Sequence, residues 1–475
     1  MKINQLLKKI SAIALAATMV AGLAACASTT TATTTTAAAT SGAATETTEG
    51  AAETTAAQGA GKVYFLNFKP EQDEAYQAIA KQYTEATGVP VTVVTAASGT
   101  YEQTLMSEIA KTDAPTIFQI NGPVGYASWK DYTADLSSSE IYGHLTDKSL
   151  AITDGTGVYG IPFAIEGYGI IYNNAIMTKY FATTDPKAAS MDEINNFAAL
   201  KAVVEDMTAK AAGLGIEGVF ASTSLAPGED WRWQTHLLNV PIYYEFKDNK
   251  IDLGSDQTNT IKFQNSTNFA NIFDLYLNNS VSDAALLGNV VVDDSMAEFA
   301  LGQCAMVQNG NWAYGQIAGV EGNTVKPEDA KFMPIYTGVA GEESQGLCIG
   351  TENYFCINKN APAEDQQASL DFLTWLYTSA EGKAAVVGQL GFIAPFDTFS
   401  DTEKPTDPLA QDMLAWASKD GITSVAWNFT VFPSQTFKNN VGAALLSYAQ
   451  GQMTWDDVSK LAVDQWAAEK ANTAS

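Results

Sequence analysis

Two clusters in the 475-residue chain bring together side chains suited to a polyhydroxylated ligand. In Gln308-Asn309-Gly310-Asn311-Trp312, amides and an indole follow directly on the short apolar run Cys304-Ala305-Met306-Val307. In Pro227-Gly228-Glu229-Asp230-Trp231-Arg232-Trp233-Gln234, two acids and two indoles fall within five residues behind a Pro-Gly turn. A ligand of this kind presents C–H faces and hydroxyl edges. Flat rings cover the faces, while carboxylates and amides pair with hydroxyls that both donate and accept. An indole covering roughly 100 Å² of apolar surface contributes at most about 2.5 kcal/mol before ordering costs. Each cluster also has a plainer reading. Trp312 could be a core residue beside a polar turn, and Glu229 or Asp230 could cap a helix whose indoles both pack inward. Indoles 231 and 233 face opposite ways on a strand and lie about 200° apart on a helix. Only one of them is therefore expected to face a ligand, and Trp231 is favoured.

The elements that must place these residues follow from periodicity. Met296, Phe299 and Ala300 repeat at helical spacing, Leu301-Gly302-Gln303 reads as a helix end, and 304–307 as a buried strand. Earlier, residues 62–66 form an apolar run ending at Asn67. An amphipathic helix over 71–87 follows, with Tyr76, Ile79, Ala80 and Tyr83 on one face. A strand over 91–94, a helix over 101–110 and a strand over 116–120 closed by Asn121-Gly122-Pro123 complete a parallel α/β pattern. Ligands bind beyond the carboxyl ends of such strands, where Asn67 and Asn121 would sit, although an asparagine there is more often a turn residue. Trp375 and Trp416 lie on helical patterns and read as core.

At 46% hydrophobic and 17% charged residues, the chain has the composition of a globular protein with room for two domains. Residues 1–26 carry Lys2, Lys8 and Lys9, an apolar core over 10–20, and Leu23-Ala24-Ala25-Cys26. The apolar part is too short to span a membrane, and small residues before a cysteine form a cleavage site, so export is expected. Residues 27–61 contain only Thr, Ala, Ser, Gly, Gln and Glu and read as a disordered tether spanning roughly 30–35 Å. Losing the signal removes three lysines and no acids, taking the net charge from −27 to −30. That charge disfavours nucleic acid and direct docking on anionic lipid. Cys304, Cys348 and Cys356 remain after cleavage, an odd number without metal-type spacing. Only His144 and His236 are present, neither in a nucleophile motif, so neither a metal site nor a cofactor is expected.

Read in order, YGIPFA, GIIYNN, GQCAM with GNW, GLCIGTENYFCINKNA and ASLDFLTWLYTSAEGKAAV with QLGFIAPF form a recognisable series. Together with the Leu-Ala-Ala-Cys lipobox, the chain resembles, over 62–475, the maltose-binding-protein-like solute-binding proteins of bacterial carbohydrate ABC importers. The resemblance implies an α/β periplasmic-binding-protein fold with two discontinuous lobes, crossover hinges and a ligand cleft between them. Crossings are expected near Ile171-Asn174, Phe332-Tyr336 and Pro395-Thr398. Lobe one is then 62–172 plus 335–396, and lobe two 173–334 plus 397–475.

The resemblance also implies site residues. Gly310-Asn311-Trp312 matches the family's Gly-x-Trp step, which puts Trp312 in the cleft with Asn311 beside it. Glu229 or Asp230, and Trp231, match an acid and aromatic of the same wall. Glu166 near the first crossing could reach a hydroxyl or remain a solvated acid. Trp427 and Phe432 precede the C-terminal helix that follows them. Cys26 would carry lipid and anchor the protein to the outer face of the cytoplasmic membrane, or in the periplasm of a cell with an outer membrane. The function implied is a monomeric, non-enzymatic receptor that closes on a carbohydrate and delivers it to ABC permease subunits. The several aromatics and a bulky insertion over 239–265 hint at an oligosaccharide. Two alternatives stay open: a secreted glycosidase using Glu229 and Asp230, and the same fold carrying a peptide or polyamine. A cation carrier should line its cleft with acids, a sugar carrier with aromatics and amides, and the sequence offers mostly the latter.

Overall fold

The computed structural model describes residues 61–473, apart from residues 98 and 401. The signal, Cys26 and nearly all of the tether lie outside them. Twelve strands are found among the described residues: β1 Val63–Asn67, β2 Val91–Thr95, β3 Ile117–Asn121, β4 Ile152–Asp154, β5 Gly157–Pro162, β6 Glu166–Asn173, β7 Gly218–Phe220, β8 Cys304–Gly310, β9 Ala330–Met333, β10 Gln345–Gly350, β11 Asn353–Ile357 and β12 Thr423–Ala426. They form two sheets. One has the order β2-β1-β3-β11-β5-β4; the other has β12-β10-β6-β8-β7, with β9 also pairing β6.

In the first sheet, β1 pairs parallel with β2 and β3, and its buried side chains meet the face Tyr76, Ile79, Ala80 and Tyr83 of the helix Asp73–Thr87. Gly88, at φ 77°, ends that helix in the left-handed conformation. β11, from far along the chain, inserts antiparallel between β3 and β5, so this lobe is built from separated pieces. In the second sheet, β6 and β8 are buried over their whole lengths and pair antiparallel. Strands covered on both faces lose the alternation of apolar and polar residues, which is why Gln308 and Asn309 continue β8 rather than ending it.

Strand membership fixes where the chain passes between sheets. The first passage lies at residues 163–165, ahead of the expected Ile171-Asn174, because the whole of β6 belongs to the second sheet. Gly167 and Gly169 make the start of that strand hard to read, yet the packing requires them. A Cβ at Gly167 would lie 2.6 Å from Met413, and one at Gly169 2.6 Å from the Met333 carbonyl oxygen. The second passage lies at residues 351–352, beyond the expected Phe332-Tyr336, because β9 and β10 both stay with β6. The third lies between the helix Ala380–Gly388, which packs on the first sheet's helices, and the helix Pro408–Ala417, which packs on β9 and β10.

Candidate ligand cleft

A cavity of about 1020 Å³ opens between the two lobes, bordered by Glu166 next to the first passage and by Glu352 of the second. From the first lobe it takes the loop after β1, the start of the helix Tyr101–Ile109 and the end of β3. From the second it takes residues 227–231 and 234–236, the turn after β8, Trp427 and one face of the helix Gln435–Ala449.

Trp312 sits on the turn Asn311–Ala313 directly after β8. A Cβ on Gly310 would fall 2.1 Å from its ring, so glycine two residues earlier lets the indole fold back over its own strand. Asn311 is the pin of that turn: its Oδ1 accepts from the Gly167 N–H at 2.9 Å, and it does not line the cavity. Trp231 borders the cavity with its ring centroid 6.1 Å from that of Trp312, tilted by 48°. Trp233 turns the other way into the core, where its Nε1 donates to the Ser224 carbonyl at 3.0 Å and its ring packs on Phe273 and Tyr276. The divergence follows from helical rotation, carried here by the π-helical stretch Arg232–Leu237.

His236, from the same stretch, stacks on Tyr168 at 4.3 Å and meets Trp231, Trp312 and Trp427. Burial, aided by the nearby Lys438, Arg232 and Lys69 charges, holds its pKa well below the usual value, so the ring is neutral. Trp427 lies over Gly350, where a Cβ would be 2.6 Å from the indole. Three indoles and an imidazole thus border one cavity.

The charged lining is mostly acidic. Seven carboxylates (Glu71, Glu102, Glu166, Glu229, Asp230, Asp293 and Glu352) and two lysines line it, a richer set of acids than the sequence suggested. Lys69 is buried, with Glu166 at 2.7 Å, Glu71 at 3.6 Å, and the Trp312 ring centre at 5.5 Å. Burial alone would depress its pKa; Glu166 and Glu71 outweigh that and leave it raised. Lys438 faces Glu352 at 3.5 Å. Glu352 itself is pushed upward by burial, partly offset by Lys438.

Glu229 accepts from the Val292 N–H at 3.3 Å, at the start of the helix Val292–Ala300. Asp230 is 6% exposed, and its carboxylate lies against Gly442, where a Cβ would come within 1.6 Å of Oδ2. Burial pushes its pKa up to about 6.

Of the expected residues, Trp312, Trp231, Glu229, Asp230, Asn121, Glu166 and Trp427 border the cavity, whereas Asn67, Asn311 and Phe432 do not. Asn67 is fully buried in an Asx turn: its Oδ1 accepts from the Lys69 N–H at 3.0 Å and its Nδ2 donates to the Lys69 carbonyl at 2.7 Å. Phe432 packs edge-on against Phe437 and Trp466, because its 3-10 turn faces the helices behind the cleft. The insertion over 239–265 also lies behind it, where Asn239 receives the Asn428 N–H at 2.7 Å and Thr258 accepts from Trp466 at 2.8 Å. Lys69, Lys438, Glu352 and His236 were missed. For Lys69 the signal was its place just after a strand end; for Lys438 nothing in the sequence separated it from a solvated charge.

A model of the family described as bacterial extracellular solute-binding protein matches residues 78–414. Comparison with curated proteins by sequence gives no match. Among solved structures, RafE in complex with raffinose is 17% identical at a TM-score of 0.63, with 86% of this chain and 99% of that one covered. A chitin oligosaccharide binding protein is 15% identical at 0.63, with 86% and 100% covered. Maltose-bound MalE3 of T. maritima is 14% identical at 0.62, with 86% and 99% covered. At these identities the likeness is one of fold.

Proposed function

Because this chain belongs to the bacterial extracellular solute-binding proteins, we propose that it captures a saccharide between its lobes and passes it to an ABC permease. The observation that carries the reading is the convergence of Trp231, Trp312 and Trp427 on one cavity that also holds Asn121, Glu166 and Asp230. Indole faces seat the C–H faces of sugar rings, and the polar groups orient hydroxyls. A volume of about 1020 Å³ stands at the upper end for small-ligand sites and suits several sugar units better than one. The structural neighbours RafE with raffinose, maltose-bound MalE3 and the chitin oligosaccharide binding protein support the same class.

In the mechanism, lobe one comprises residues 62–162 and 353–396, lobe two residues 166–350 and 408–473. Ligand shifts an open–closed equilibrium by contacting both lobes at once, and the permease reads the closed form. No bond is made or broken. A lipid on Cys26 and the tether over 27–61 keep the receptor at the outer face of the membrane, acting as a monomer.

A calorimetric titration of the protein with mono-, di-, tri- and tetrasaccharides tests the reading, which requires saturable binding of at least one. The seven cleft carboxylates favour a second reading, a cationic solute that is not a sugar. Binding of a diamine in the absence of any saccharide binding would select it.

A further inference from the structure

We propose that the saccharide carries a free ammonium group, seated on the Asp230 carboxylate beside the Trp231 indole. The inference rests on the saccharide reading and names the chemistry of one end of the ligand.

The charges of the cleft are unevenly satisfied. Both lysines are taken, Lys69 by Glu166 and Glu71, Lys438 by Glu352. Asp230 is buried to 6% exposure and enters no ion pair among the described residues. Its carboxylate lies against Gly442, with the Gln234 side chain hydrogen-bonded to it and Glu229 nearby, and none of these brings a cation. A carboxylate removed from water without a counter-charge is costly, and a cation brought by the ligand removes that cost.

Three buried side-chain atoms of this cavity's lining lack a hydrogen-bond partner among the described residues: Asn121 Oδ1, His236 Nδ1, on a residue 4% exposed, and Asn353 Oδ1, on one 5% exposed. Unsatisfied groups in a walled cavity point to an occupant with hydrogen-bonding edges, as a sugar has. The indole faces suit the added charge. Lys69 already places an ammonium 5.5 Å from the Trp312 ring centre, and Trp231 stands next to it. An amino sugar stacked on these rings would satisfy the aromatic wall, the amide and the carboxylate together, whereas a neutral sugar can hydrogen-bond Asp230 but leaves it without a counter-charge.

The test uses three trimers with the same β-1,4 linkage, built of glucosamine, N-acetylglucosamine or glucose, titrated into the wild-type chain and into Asp230→Asn at pH 7. The expected result is at least tenfold tighter binding of the glucosamine trimer than of the other two, with that ratio collapsing towards one in Asp230→Asn. Equal or tighter binding of the acetylated or glucose trimer overturns the inference and leaves the saccharide reading standing. Retention of the preference by Asp230→Asn overturns the assignment to this carboxylate. Binding of none of the three trimers overturns the inference, and binding of 1,4-diaminobutane with no saccharide of the mono- to tetrasaccharide panel overturns the saccharide reading beneath it.

Discussion

Gly99 of one lobe and Gly228 of the other meet across the mouth of the cleft. A Cβ on Gly99 would lie 3.1 Å from the Gly228 carbonyl oxygen and 3.2 Å from its Cα. Both residues have left-handed backbones, at φ +69° and +85°, and two chains approach this closely only where neither bears a side chain. The two rims therefore touch in this structure. A Gly228→Trp side chain is expected to wedge them apart. Solution scattering should show the wild type contracting on saturation with its saccharide and the variant failing to contract, with affinity reduced at least tenfold. Equal contraction and equal affinity would show that the rims need not meet.

Trp312 owes its position to Gly310, so the two should not act independently. Trp312→Ala is expected to weaken saccharide binding more than tenfold. Gly310→Ala should do nearly as much, because its methyl displaces the indole, and should add little in a Trp312→Ala background. Additive losses in the double-mutant cycle would sever the link.

The two indoles at 231 and 233 separate affinity from stability. Trp231→Ala should weaken binding more than tenfold with little change in the melting temperature of the empty protein. Trp233→Ala empties a core site between Phe273 and Tyr276 and should cost about 3–5 kcal/mol of stability. A chemical denaturation series on both variants distinguishes these outcomes.

Asp230 gives a pH signature. Burial raises its folded pKa from 3.8 to about 6. Both states are protonated at pH values well below 3.8; as pH climbs towards 6 the unfolded chain releases its proton first, so stability is lost across that window and not beyond it. Asp230→Asn should consequently stabilise the empty protein at pH 7.5, by at most about 3 kcal/mol, and give no gain near pH 3.5. Denaturation midpoints at the two pH values check the sign; a destabilised variant at pH 7.5 would refute it.

Much of the first lobe was legible because β1, β2 and β3 are short apolar runs separated by an amphipathic helix and by turn residues. The start of β6 was not, since Gly167 and Gly169 look like breakers until the close approach of Met413 and Met333 is seen. Trp312 and Trp231 could be read from their neighbours, a glycine two residues before one and an acid pair before the other. Asn67, Asn311 and Phe432 have the residue types of a sugar site but serve turns and core, a distinction set by long-range packing. Lys69 and Lys438 were overlooked because a lysine is usually solvated; only the fold brings Glu166 and Glu352 to them.

The central claim is that this cleft binds an intact saccharide and does no chemistry on it. A tryptophan-fluorescence titration, followed by chromatography of the recovered sugar after prolonged incubation, measures both halves at once. The account predicts saturation at one ligand per chain and a sugar of unchanged length. Cleaved product, or the absence of any saccharide-dependent signal across a mono- to tetrasaccharide panel, would contradict it.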